Sequence, residues 1–196
     1  MYQKYHTDAL ILGSRERGEA DKILALYTKD FGLIHARASA VRRERSRMRY
    51  ALQDYSSAHV SLVRGKRLWR VGGAIATSGV PPVESAAAFA RIARLVIRLV
   101  GGEEQNQYLF STLTDAHTSL ALVMRTARPV VEMVCVARVL YALGYLSPEA
   151  LELPIGQAGT TLFTHTAYAA RDIEEAQTMR ATLLSSINHA LTETHL

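Results

Sequence analysis

The chain has 196 residues, 48% hydrophobic and 21% charged, with a formal net charge of +5. That balance excludes a disordered or fibrous protein and leaves a globular one able to bury roughly 70% of its unfolded surface. No apolar run approaches the roughly 18 residues that span a bilayer, and MYQKYHTDALILG lacks the longer apolar core and cleavage site of a signal peptide. A cytoplasmic chain without membrane association is expected, and a lone Cys135 in an apolar helical pattern agrees, since it allows neither an internal disulfide nor a thiolate cluster.

The charge divides unevenly. Residues 1–80 carry 15 Lys and Arg against 7 Asp and Glu, whereas residues 81–196 carry 8 against 11. Gly79-Val80-Pro81-Pro82 separates the two parts, because two prolines remove backbone donors and force an extended connection. A basic domain over 1–79 and a helical domain over 80–196 are expected.

In chain order, Thr7–Leu12 and Lys22–Thr28 read as strands, and Lys29-Asp30-Phe31-Gly32 supplies the turn to a return strand over Leu33–Ala38. Arg37–Tyr50, RASAVRRERSRMRY, then breaks the pattern: it holds six arginines and one acid, Glu44, with almost nothing apolar to bury. Like charges at such density repel, so the segment has little reason to fold for its own sake and is suited to anions. The competing reading is a solvated loop. Tyr55–Arg64 alternates as a strand, Gly65-Lys66 suits a two-residue type II′ turn, and Arg67–Ala76 returns, with Gly72-Gly73 predicting a bulge. Five short strands with a long insertion between the third and fourth suit a small closed barrel of the OB type.

The period then changes. Ser85–Val100 has a 3.6-residue apolar stripe ending at Gly101-Gly102, Gln107–Thr126 follows, and Val130–Leu143 is apolar nearly all round, which predicts a central helix stopped by Gly144. Ser147-Pro148 predicts a short helical turn and residues 152–168 a loop. Asp172 with Glu175 resembles a capping pair opening one last helix with Met179, Leu183, Ile187 and Leu191 on its buried stripe. The whole reads as an α+β protein, an N-terminal OB-type five-stranded β-barrel followed by an all-α helical domain.

Chemical motifs fail on inspection. Gly13 to Gly18 has phosphate-loop spacing, but Glu19 and Ala20 stand where Lys and a hydroxyl are needed. The histidines at 6, 35, 59, 117, 165, 189 and 195 show no ligand spacing, and Glu103-Glu104 and Glu174-Glu175 suit helix ends. No nucleophile has a plausible base, so no catalytic residue, cofactor or metal is expected. What remains is cationic and aromatic. The candidate nucleic-acid-binding residues are Arg37, Arg42, Arg43, Arg45, Arg47, Arg49, Arg64, Lys66, Arg67 and Arg70, with Trp69 either stacking on bases beside a guanidinium or lying in the barrel core.

The series Gly18-Glu19-x-Asp21-Lys22, Thr28, Gly32, Arg42-Arg43, Ser46, Gln53 and Arg64-Gly65-x-x-Leu68 resembles the N-terminal domain of the RecO family, and Leu143-Gly144-Tyr145 is similar to the close of its central helix. The family often has Lys-Gly-Ala where Ser39-Ala40-Val41 stand here, and many members carry a four-cysteine zinc module where Pro148–Thr164 has no cysteine, so this looks like a short form without zinc. The resemblance implies a DNA repair and homologous recombination mediator: an OB-fold that binds single- and double-stranded DNA, promotes annealing, and works with RecR and single-strand binding protein to load RecA in the cytoplasm at the nucleoid. It also implies a helical domain that receives the tail of single-strand binding protein; Arg138 is the candidate, although the arginine expected by resemblance falls at Met133. A scaffold with a degenerate barrel, or an RNA-binding OB module, are the alternatives.

Overall fold

The structure is a computed structural model and describes residues 3–147 and 161–194. Its first half is a closed antiparallel barrel, with one parallel pairing, built from β1 (Lys4–Arg17), β2 (Asp21–Thr28), β3 (Gly32–Ala38), β4 (Ser57–Val63) and β5 (Trp69–Ser78). The strands run around it in the order β1-β2-β3-β5-β4, and β3 meets β5 in parallel with Ala36 beside Trp69 and Arg37 beside Arg70. This is the five-stranded OB-type barrel that the strand spacing predicts.

Pleating sorts the barrel's side chains. Ala9, Ile11, Leu24, Leu26, Ile34, Ala36, Val60, Leu62, Trp69 and Val71 fill the interior, whereas Leu10, Leu12, Ala25, Tyr27 and Leu33 point outward into a second cluster shared with the helices. Three register shifts adjust the alternation, one of them at Ser57/Ala58, where β4 starts and β5 ends. The β4–β5 register jumps from Ser61↔Gly73 to Leu62↔Val71, leaving Gly72 as the extra residue, as the paired glycines predict. In β1 the register passes from Ile11↔Leu26 to Gly13↔Ala25, so Leu12 is extra and the odd-numbered residues after it face outward.

The β4–β5 connection differs from expectation. It runs from Arg64 to Leu68 rather than through Gly65-Lys66 alone, because a Cβ on Gly65 would lie 2.2 Å from the Leu68 carbonyl oxygen and the chain folds tightly back on itself there. At the β2–β3 turn Gly32 has φ +63°, and a Cβ would lie 2.0 Å from the backbone oxygen of Glu104, so glycine is required both by the turn and by the close approach of the helical half.

That half contributes α1 (Val83–Leu99), α2 (Gln107–Leu122), α3 (Arg128–Ala142), α4 (Thr161–Thr164), α5 (Ala170–Thr178) and α6 (Arg180–Glu193). Asn106 caps α2 by accepting the Leu109 N–H at 2.8 Å. α3 is the central helix; Gly144 takes φ +77° and donates its N–H to Tyr141. Cys135 is fully buried on α3, and burial pushes its thiol up to about 12, so it serves as packing. Three expectations change. The last helix is two, broken at Met179 (φ −96°, ψ 12°), and Leu162 and Phe163 of α4 are buried where a loop is predicted. Asp172 is the third residue of α5 rather than its cap, and its carboxylate reaches back to the Ala169 N–H at 3.0 Å. The turn predicted at Ser147-Pro148 falls largely outside the described residues.

The two halves share a core. Leu10, Leu12, Tyr27 and Leu33 of the barrel pack with Phe89, Ile92 and Val96 of α1, Leu109 and Leu113 of α2, and Val131 and Cys135 of α3. His117 of α2 reinforces the junction: its Nε2–H donates to the Tyr55 carbonyl at 2.8 Å, and its ring meets Phe89 edge-on at 5.1 Å. Burial holds its pKa below the ordinary imidazole value, with the Tyr55 bond opposing. Since the folded-state pKa lies below the unfolded one, the stability carried by neutral His117 is complete above the unfolded pKa of about 6.5 and is lost as pH falls through it toward the folded value. The urea midpoint is expected to fall between about pH 7 and about pH 5, and His117→Asn is expected to flatten that part of the profile. An equal decline in both proteins would remove His117 as the cause.

Candidate nucleic-acid interface

The arginine segment is folded onto the barrel. Backbone bonds from Arg43 N–H to Ala40, Ser46 to Arg43, Arg49 to Ser46 and Leu52 to Met48 make it a chain of tight turns, and Val41, Ala51 and Leu52 anchor it in the barrel's interior cluster. Three apolar residues thus hold what charge alone would not. Asp21 sets its start: its carboxylate accepts the Ala40 N–H and the Arg37 Nε–H, each at 2.8 Å, and these two bonds hold the carboxyl below the ordinary carboxylate range. Ala40 takes φ +54°. A left-handed alanine costs about 1–2 kcal/mol, which the Asp21 bond and the buried Val41 offset.

Arg17 at the end of β1, Arg37 on β3, Arg70 on β5, and Arg64, Lys66 and Arg67 in the β4–β5 connection surround one cleft of ≈ 860 Å³ whose other lining residues are Gly65 and Leu68. Six cations and no acid line it. The cleft lies between the β1–β2 and β4–β5 connections, the loops with which OB-folds hold oligonucleotides. Arg42, whose Nη1 reaches the Gly18 carbonyl at 3.2 Å and Glu16 at 3.1 Å, and Arg49 line a separate, smaller cleft; Arg43, Arg45 and Arg47 are exposed on the turns between them. The sequence reading missed Arg17 and Lys22, which stand singly in sequence and become part of the clefts only through strand pairing.

Two expected site residues are corrected. Trp69 is 2% exposed: its indole lies inside the barrel with Phe31 at 5.0 Å and Tyr5 at 5.5 Å, and Nε1–H donates to Glu103 at 2.9 Å. It pairs with inward-facing Ala36, so the core reading holds and no face is left for a base. Arg138 is fully buried, so it offers no partner a surface. Its Nε donates to the Leu162 carbonyl at 2.6 Å and Nη1 to those of Thr166 and Ala167 at 2.8 and 3.0 Å, with the guanidinium 4.7 Å from the Tyr168 ring, tying α3 to the segment ahead of α5. Met133 is buried as well.

Glu103, in the α1–α2 connection, also accepts from Arg64 Nη2 at 3.2 Å, and Arg64 lies 5.4 Å over the indole of Trp69. A carboxylate of the helical half therefore holds one cation of the cleft. If Arg64 is recruited by phosphate, Glu103→Gln, which keeps an acceptor for Trp69 but drops the charge, is expected to tighten oligonucleotide binding two- to fivefold, the scale of an exposed ion pair worth up to about 1 kcal/mol. Unchanged affinity at low salt would take Arg64 out of the interface.

Fold and site define a class: an OB-type barrel with a cationic cleft between its first and last connections, fused through a shared core to a helical half. Residues 1–78 match the family described as Recombination protein O N terminal, which assigns the barrel half and leaves the helical half outside the match. Over 64 residues it is 44% identical to the DNA repair protein RecO of Desulfitobacterium hafniense (strain DSM 10664 / DCB-2), 33% of this chain and 23% of that relative. It is 35% identical over 121 residues to that of Pelotomaculum thermopropionicum, 60% of this chain and 47% of the relative, an alignment long enough to reach into the helical half. It is 33% identical over 116 residues to that of Desulforamulus reducens, 57% and 45%. The aligned part thus spans less than half the length of these relatives. Among the described residues no helix is long and apolar enough to cross a membrane.

Proposed function

We propose that the chain is a non-enzymatic DNA repair and recombination mediator that binds single- and double-stranded DNA through the cationic barrel and promotes annealing of complementary strands. In this reading it acts with RecR and with single-strand binding protein, whose tail docks on the helical half, to help load RecA. The observation that carries the reading is the acid-free cleft of Arg17, Arg37, Arg64, Lys66, Arg67 and Arg70 between the two connections. Annealing needs no nucleotide hydrolysis; it needs positive charge enough to offset repulsion between two phosphate chains, and contacts that leave bases free to pair. With Trp69 inside the barrel, phosphate contact dominates, and such binding is sequence-independent and weakens with salt.

The test is binding of a labelled oligonucleotide across a salt series, followed by annealing of complementary strands with and without single-strand binding protein. Affinity that falls linearly in log–log form with salt, with accelerated annealing, supports the proposal. Binding without salt dependence, or no acceleration, defeats it. A clear preference for RNA over DNA of the same sequence would favour the RNA-binding alternative.

A further inference from the structure

The cations form two surfaces rather than one. In β1 and β2, Arg17 opposes Asp21 while Glu16 opposes Lys22, and opposed residues share a face while neighbours alternate. The extra residue at Leu12 sends Arg17 outward, with Asp21 and Arg37, and leaves Glu16 and Lys22 in line with the interior residues Leu24 and Leu26, at the end of the barrel. The large cleft is on the outer face. A second cleft of ≈ 330 Å³, lined by Lys22, Arg42, Arg49 and Gln53 over Val41 and Leu52, opens at the barrel's end beneath the turn segment.

Between the two lies the end of the β1–β2 ribbon, where Glu16, Glu19 and Asp21 are interleaved with Arg15, Arg17 and Lys22. Asp21 pins Arg37 on the outer side and the start of the turn segment on the other, and Glu16 pairs with Arg42. A single phosphate chain running from one cleft to the other would have to round the ribbon end and compete with Asp21 and Glu16 for the arginines they already hold.

We propose that the clefts are separate sites that hold two nucleic-acid strands at once, one phosphate chain in each, on opposite faces of the β1–β2 ribbon. The proposal rests on the nucleic-acid-binding reading above and gives it a geometry: one chain brings two strands together, with the ribbon between the clefts keeping their backbones apart while bases pair beyond it.

The experiment uses the full chain and an oligothymidylate of about six nucleotides, short enough for one cleft of an OB-fold. Native mass spectrometry and titration at low salt are expected to show two oligonucleotides per chain. Arg17→Ala with Arg67→Ala, or separately Lys22→Ala with Arg49→Ala, is expected to leave one, and each pair is expected to slow annealing at least tenfold while single-strand binding persists at the other site. Saturation of the unaltered chain at one oligonucleotide, a result that needs no variant, would overturn the two-site arrangement and leave one-site binding standing. So would the loss of all binding in either pair with an unchanged thermal transition. No binding by the unaltered chain would defeat the nucleic-acid reading itself.

Discussion

Replacing Arg42, Arg43, Arg45 and Arg47 together by alanine is expected to weaken binding of a labelled single strand at least tenfold at moderate salt, about 1.4 kcal/mol. Arg43, Arg45 and Arg47 project from the turns into solvent, whereas Arg42 is partly engaged by Gly18 and Glu16 and should contribute least. Each phosphate that the variant no longer neutralises lowers the salt slope by about 0.7 on a single strand, so the slope should flatten by up to about 2.8. Stability should hold, because Val41, Ala51 and Leu52, not the arginines, fasten the segment to the barrel. A matching thermal transition with weaker, less salt-sensitive binding is the expected pair of results. Unchanged affinity would remove these four arginines from the interface.

The positions that sequence reading placed well are those governed by local rules. Alternation located the strands, Gly72-Gly73 the bulge, and the insertion after β3 the arginine turns. Where it failed, the deciding partner is distant in sequence. Trp69 alternates correctly for either face; only its pairing with Ala36 puts it inside. Arg138 looks anomalous on an apolar helix, and the carbonyls that accept from it come from residues 162–167. The break at Met179 has neither glycine nor proline to mark it. The bulge at Leu12 leaves little trace in sequence, yet it decides that Arg17 faces outward and so separates the two clefts.

Trp69→Ala should be the most destabilising single change, at about 3–5 kcal/mol, the usual cost of truncating a fully buried tryptophan. The indole is enclosed by Tyr5, Phe31 and the interior aliphatics, and it links the barrel to the α1–α2 connection through Glu103. Trp69→Phe keeps most of the packing and loses the Nε1–H bond, a step of about 1 kcal/mol that should also loosen Arg64 over the ring. A base-stacking tryptophan would behave oppositely: Trp69→Ala would leave urea unfolding nearly unchanged and remove about 1–3 kcal/mol of binding per stacked base. Measuring both quantities on both variants separates the two roles. The buried geometry requires stability to fall steeply from tryptophan to phenylalanine to alanine, and the phenylalanine variant to bind DNA with only a modest loss, since the phosphate contacts proposed for Arg17, Arg37, Lys66 and Arg67 do not depend on the indole.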